Sequence, residues 1–426
     1  MSIEDASELR EQSEHSAKKE EEEQEIILNK NPIMITLKTA LKEAGWIFVL
    51  SRVVILLLTY LGVSIIPATK NLFSINCFTQ TRACAISWMH YDVFSYVDIA
   101  MHGYVNARAT AFFPLFPFLL RVPGALLGGS VVDYYIAGIV LSNIFFFIAL
   151  IVLYLLVEDR FDASVARTTL FYTAFAPYAL FFFVGYTEAL FLLLCLLTFF
   201  FLNQAIQRQS ILSWWLAGFC GFVTVLSRSQ GLLLVIPYLV VYVQHFFLPQ
   251  TFSNSKWSEK VLAFVPIALI PLGLATYMFY LWQTKGDAWL FSESQILYWG
   301  RLPLTSPLVT IGYVIKALFV PTSLQVLNVI NIVSLLIPIF GLIIGWKRIP
   351  LHYTLFAIAL ILFTTLYPLG KANALTSVPR FMLVVFPTII VFASIKNTRF
   401  EKAYLVFMLP LFALNILLFV NHFWVA

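Results

Sequence analysis

Apolar residues run through this chain in long unbroken blocks, without the alternation or the one-sided stripes that mark half-buried strands and helices. A helix needs about 20 consecutive apolar residues to cross the hydrocarbon of a bilayer. Such blocks fall near residues 44–66, 131–157, 168–184, 188–203, 212–227, 231–248, 261–283, 324–346, 351–368, 380–395 and 403–424. The pattern predicts an all-α polytopic membrane protein with about eleven crossings. The runs at 168–184 and 188–203 are short enough to be broken or re-entrant. Two long loops, about 67–130 and 284–323, interrupt the blocks, and residues 36–426 make one multi-span domain. Residues 1–35 are polar and acidic, too polar for a secretory signal, and read as a disordered, solvated tail.

Composition sharpens this picture. The 426 residues are 60% hydrophobic and 12% charged, with 41 Phe and a mean hydropathy of +0.86. A soluble domain carries about 25% charged residues. Ten of the 22 acids precede residue 30, which leaves carboxylates rare along the membrane domain. The net charge of +5 comes from scattered basic residues, so nothing marks a nucleic-acid surface. Four cysteines are too few for a disulfide scaffold. Cys195 and Cys220 lie in apolar runs as buried thiols, whereas Cys77 and Cys84 share a polar loop and can pair if it faces an oxidising compartment.

Basic residues near span ends set orientation. With the tail inside the cell, the short loops holding Arg160, Arg167, Arg208, Lys256, Lys260, Lys347, Arg348, Lys396, Arg399 and Lys402 are cytoplasmic. The two long loops then lie outside. Asp92, Asp98, Glu188, Arg228, Gln295 and Arg380 all fall on that outer side. Ionisable groups at the membrane are costly and mark function, so these six predict one site assembled from several loops.

The first outer loop carries Asp92, which can cap a helix beginning at Val93 or act as a general base beside a lipid-borne substrate. On that amphipathic surface helix Asp92, Ser95, Asp98 and His102 share an arc of roughly 120°. Asp98 stands about 9 Å further along the axis, too far to share a proton with Asp92. In Ala111–Pro117 two prolines break any spanning helix, leaving either a re-entry or a substrate groove. Glu188 either complements a helix dipole or positions a hydroxyl or a basic partner. Arg228 and Arg380 suit phosphate because a guanidinium presents a planar, permanently charged fork; either can instead snorkel to headgroups. Gln295 belongs to an outer loop with Trp289, Trp299 and Arg301, where interfacial aromatics are expected in any case. No phosphate-cradling glycine loop, Cys/His metal spacing or soluble nucleotide fold occurs, so a lipid-phosphate donor delivered from the membrane fits better than a soluble nucleotide sugar.

Six motifs in order resemble the GPI mannosyltransferase 2 family: Tyr91-Asp92 with Ile99-Ala100 and Gly103-Tyr104; Ala111–Pro117; Gly185–Phe191; Arg228–Gly231; Gly286–Trp289 with Gln295 and Trp299; and Pro379-Arg380 with Phe386-Pro387. The resemblance implies a GT-C type glycosyltransferase fold, with amphipathic helices in the first outer loop. It implies an inverting transfer of mannose or a similar hexose from a polyprenyl-phosphate donor to a lipid-linked or glycan acceptor at the outer face. By motif match Asp92 takes the catalytic acid position, while Asp98, His102, Glu188, Arg228, Gln295 and Arg380 are assigned to substrate. No cofactor and no metal are expected; the partners are the donor, the acceptor and membrane lipid. Tyr91 in place of Trp, Asp98 in place of a basic residue and Gln230 in place of Asn, with short loops and an acidic tail, imply a bacterial-type relative. The competing reading is a polytopic transporter or lipid flippase, which inverted repeats would favour; the sequence displays no convincing repeat.

Overall fold

The structure is a computed structural model that describes residues 32–65, 79, 81–248, 256–320 and 324–425. It is all-helical apart from one isolated antiparallel bridge between Arg301 and Leu369. The described residues open with α1 (Pro32–Ile65), followed by α2 (Thr81–Ile86), α3 (Asp92–His102) and α4 (Leu115–Leu126). Next come α5 (Val131–Glu158), α6 (Ala163–Ala174), α7 (Glu188–Gln207), α8 (Ile211–Ser227) and α9 (Val235–Phe247). After them run α10 (Trp257–Phe264), α11 (Leu269–Lys285), α12 (Leu290–Leu297) and α13 (Pro307–Leu318). The last five are α14 (Gln325–Gly345), α15 (Leu351–Leu366), α16 (Val378–Met382), α17 (Phe386–Ala393) and α18 (Thr398–Val420).

Among the described residues seven helical stretches are long and apolar enough to cross a membrane: Thr36–Ser64, Val131–Glu158, Glu188–Gln207, Ser229–Phe247, Trp257–Lys285, Gln325–Gly345 and Thr398–Val420. Seven of the eleven apolar blocks therefore become long spans. Two more, α8 and α15, are shorter apolar helices of 17 and 16 residues. The remaining two are broken. The block at 168–184 stops at Ala174, ahead of Pro177, and continues as a 3-10 turn over Ala179–Phe182. The block at 380–395 splits into α16 and α17 between Pro379 and Pro387, because proline removes a backbone donor and clashes with the preceding turn. The run at 188–203 is one continuous helix, α7, rather than a broken one.

That helix is the axis of the bundle. Of the spans it is the most enclosed, with 72% of its most apolar 18-residue stretch buried, and it packs on α5 and α8. Phe199 near its far end sits among the rings of Tyr353, Phe356 and Phe386. The first long loop is itself helical: α3 buries Val93, Tyr96, Val97, Ile99 and Ala100, and Tyr96 packs edge-on against Phe112 and Phe116. Ser130 and Asp133 form a reciprocal capping box where α5 begins. The acidic tail through residue 31 and Cys77 lie outside the described residues. Cys84 is disulfide-bonded, and Cys195 and Cys220 are free and buried.

Candidate functional site: a four-residue ionic cluster

Carboxylates and guanidiniums are scarce in this chain, yet four of them meet at one end of the bundle. Arg380 Nη1 donates to Asp92 Oδ2 at 2.6 Å, and Arg380 Nε lies 2.8 Å from Glu188 Oε1, an ion-pair contact without hydrogen-bond alignment. Arg228 Nη1 donates to the same Glu188 oxygen at 2.7 Å. The chain thus joins α3, α7, the α8 terminus and α16. Glu188 is the first residue of α7 and Arg228 caps α8, so the antiparallel pairing of these helices places both at the same end. Glu188 is fully buried, and its Oε2 has no hydrogen-bond partner among the described residues.

The backbone is shaped to bring these groups together. Tyr91, directly before Asp92, has φ 58° and ψ −123°, and Ser377, three residues before Arg380, has φ 69°. Such conformations cost L-residues about 1–3 kcal/mol and persist where surrounding structure enforces them. Gly231 follows Arg228 where a Cβ would meet Val225 N at 2.6 Å, so no larger residue fits that turn. Gly185 lies so close to Gly138 of α5 that a Cβ would sit 3.2 Å from its backbone, which lets the segment leading into Glu188 press onto that helix. Below it, the buried Arg52 donates to Asn143 Oδ1 at 2.6 Å and to the carbonyl of Phe182 at 3.3 Å, between the rings of Phe48 and Phe146. Arg52 anchors the bend from which α7 starts.

Asp92 does not cap α3. The helix begins at Asp92 itself with Tyr91 as N-cap, and no side chain bonds the first turn. Its Oδ2 is held by Arg380, and Oδ1 has no protein partner among the described residues. Arg380 lies against Phe181, Tyr186 and Phe381, and Arg228 against Phe191 and Phe381. A cavity of about 10 Å³, room for one water, opens beside Arg228, Phe191, Thr364 and Phe381.

Other assigned residues stand apart from the cluster. Asp98 and His102 pair with each other at 2.9 Å and are about half exposed. The arc drawn from residue spacing does not bring them to Asp92, because the first residue of a helix points along its end rather than across its face. Gln295 donates to the carbonyl of Ala111 at 3.3 Å and accepts from Arg301 Nε at 3.1 Å, tying the second loop to the first.

Three further residues border the cluster without having been singled out by sequence. Tyr96, one helical turn beyond Asp92, reaches Thr187 with its hydroxyl at 3.4 Å, and burial followed by the charge of Asp92 raises its pKa, keeping it neutral. Its spacing of four from Asp92 was the available signal. His90 packs tilted against His422 with ring centroids 3.9 Å apart, and its Nε2 donates to the Ser87 carbonyl at 2.6 Å. Burial, then His422, lowers His90 to about 4 against the opposing pull of that backbone bond. Arg301 is lowered to about 10, first by burial, then by Arg380, with Asp92 acting in the opposite sense. Among the described residues no three His, Cys, Asp or Glu side chains cluster closely enough to hold a metal ion.

Comparison with known proteins adds to this geometry. A family model described as dolichyl-phosphate-mannose-protein mannosyltransferase matches residues 109–290, which include Glu188 and Arg228. GPI mannosyltransferase 2 of Schizosaccharomyces pombe is 33% identical over 156 residues, covering 35% of this chain and 31% of that protein. The aligned part is therefore under a third of the relative's length. Among solved structures, ArnT from Cupriavidus metallidurans bound to undecaprenyl phosphate superposes with a TM-score of 0.50 at 14% identity, over 85% of this chain and 62% of that one. The apo oligosaccharyltransferase of Archaeoglobus fulgidus aligns over 88% of this chain and 54% of its own, with a TM-score of 0.44 and 14% identity. The likeness to ArnT is one of fold. Over part of its length the chain is similar to GPI mannosyltransferase 2 and to the mannosyltransferase family model, and it shares the polytopic helical fold of ArnT.

Proposed function

We propose that the protein is an inverting mannosyltransferase that takes mannose, or a similar hexose, from a polyprenyl-phosphate donor and transfers it to a lipid-linked or glycan acceptor outside the cytoplasm. The observation that carries this reading is the Asp92–Arg380–Glu188–Arg228 cluster. It is a carboxylate with one oxygen fixed and the other open, set among paired guanidiniums at one end of a membrane bundle. The mannosyltransferase match over the central helices and the relative's name support the sugar. The undecaprenyl phosphate named for the structural neighbour supports the carrier.

In this scheme the acceptor hydroxyl gives its proton to Asp92 Oδ1 and attacks the anomeric carbon. The bond from that carbon to the phosphate oxygen breaks on the opposite face, and polyprenyl phosphate leaves with the electron pair. A general base of this kind contributes about 10²–10⁴-fold. The phosphate is already a good leaving group and needs cations more than an acid. Glu188 holds Arg228 and Arg380 in place, and Asp98, His102 and Gln295 stand further out, toward the acceptor. The basic loops support a cytoplasmic tail and, with it, a cluster on the outer side.

Purified protein given radiolabelled polyprenyl-phosphate mannose and crude membrane lipid acceptors should produce labelled glycolipid of inverted configuration. Movement of intact donor across vesicles without product would instead establish a transporter.

A further inference from the structure

The charges around the cluster do not balance, and the imbalance has a location. Arg380 and Arg228 are matched by Asp92 and Glu188. Arg301 is a third guanidinium near enough for Arg380, Asp92 and Arg228 all to act on its charge, yet it donates only to neutral oxygens: Gln295 Oε1 at 3.1 Å and the Tyr367 carbonyl at 2.7 Å. Among the described residues no carboxylate pairs with it. Burying an unmatched cation costs several kcal/mol.

Arg52 is also without a carboxylate, but it is walled in by two aromatic faces, Asn143 and a backbone carbonyl. Arg301 has no ring over it and keeps part of its surface open. Its backbone is held firmly: Arg301 N bonds Gln295 O at 3.0 Å, Leu302 N bonds Pro368 O at 2.8 Å, and Gly370 N bonds Gly300 O at 3.1 Å. The second long loop is thereby stitched to the segment that leads to Arg380.

We propose that Arg301 receives the phosphate of the donor and of the polyprenyl-phosphate product; the inference rests on the transferase reading above. The donor phosphodiester carries one negative charge and cancels the unmatched positive charge of Arg301. When the bond from the anomeric carbon to the phosphate oxygen breaks, the electron pair stays on phosphate, whose charge approaches −2. The acceptor's proton neutralises Asp92 in the same event and releases Arg380 from its partner. The cluster therefore stays neutral before and after transfer, while a second guanidinium becomes available as the second phosphate charge develops. An interaction that strengthens in this way acts on the transition state more than on donor binding.

The test uses the full-length protein in detergent with polyprenyl-phosphate mannose as donor and farnesyl phosphate as product mimic. Arg301→Gln should lower kcat at saturating donor roughly tenfold to a hundredfold and weaken inhibition by farnesyl phosphate at least about tenfold, the span of a lost charge-assisted hydrogen bond. Arg301→Lys should recover a large part of both. In the unmodified protein, farnesyl phosphate should raise the unfolding temperature, and farnesol or phosphatidylglycerol should not, so the inference is testable even if Arg301→Gln misfolds. Equal stabilisation by phosphatidylglycerol would make Arg301 a general lipid-headgroup contact and overturn the proposal. So would an Arg301→Gln protein with unmodified kcat and inhibition, and in that case the transferase reading would stand. A wild-type protein that transfers no mannose would remove the transferase reading itself, whatever Arg301 does.

Discussion

Asp92 and Asp98 sit six residues apart on the same short helix and have opposite fates. The Asp92 side chain is 17% exposed and fixed by Arg380, whereas Asp98 is 52% exposed and meets only His102. Nothing in residue type or helix separates them. Asp92 stands at the end of α3, behind the strained Tyr91, and projects past the helix toward α16; Asp98 stands on the outward face. The difference teaches that in a membrane bundle a carboxylate becomes a site residue through the partner that desolvates with it. An exposed ion pair of the Asp98–His102 kind is worth little, about 0–1 kcal/mol, while a buried one leaves a large penalty if broken.

The contrast can be broken most severely at Glu188. Glu188→Gln should destabilise the protein by about 3–5 kcal/mol, because it strands Arg228 in a desolvated setting and leaves Arg380 with Asp92 alone; thermal unfolding in detergent measures it. A loss within 1 kcal/mol would mean that the cluster is hydrated and no different from the Asp98 pair. Acid should loosen the anchor of Asp92 as well. His90, two residues before it, has a folded pKa near 4 against an ordinary value of 6.5. The unfolded chain therefore binds a proton that the folded chain does not, so stability is full above pH 6.5 and falls as pH drops toward 4. The effect is on the order of 2–3 kcal/mol. His90→Gln should flatten the unfolding temperature across that window, and an unchanged slope would assign the acid sensitivity elsewhere. Arg380 holds two carboxylates and Arg228 one. Arg380→Gln should thus cost kcat/KM about 1.5–3 kcal/mol, and Arg228→Gln less; the reverse order would place the proton-accepting carboxylate nearer Arg228. Smallest of all, Asp98→Asn should change stability by no more than about 0.5 kcal/mol.

Much of this arrangement was legible in the sequence because lipid makes charge conspicuous. Asp92, Glu188, Arg228 and Arg380 stood out as ionisable groups between apolar runs, and the structure brings those four together. The apolar blocks located the long helices for the same reason. What could not be read was pairing. Arg301 looked like an ordinary residue of an aromatic loop, since its lack of a carboxylate depends on where Gln295 and Tyr367 fold. The contact of His90 with His422 joins residues more than three hundred positions apart. Asp98 and His102 were drawn inward by helical periodicity, which gives a face but not the side on which the neighbours pack. The breaks at 168–184 and 380–395 were signalled by Pro177, Pro379 and Pro387, but block length alone concealed them.

The central claim is that Asp92 acts as a base rather than as a structural cap, and one measurement addresses it directly: mannose transfer from polyprenyl-phosphate mannose by the Asp92→Asn protein, with Asp98→Asn alongside. Asparagine keeps the size of Asp92 and can still accept a hydrogen bond from Arg380, while Arg380 retains Glu188, so the protein should fold and insert. The amide cannot take the acceptor's proton. The account predicts transfer reduced by at least about a hundredfold for Asp92→Asn and a much milder loss for Asp98→Asn. Near-normal transfer by a well-folded Asp92→Asn protein would contradict it and leave Asp92 as a strut for Arg380.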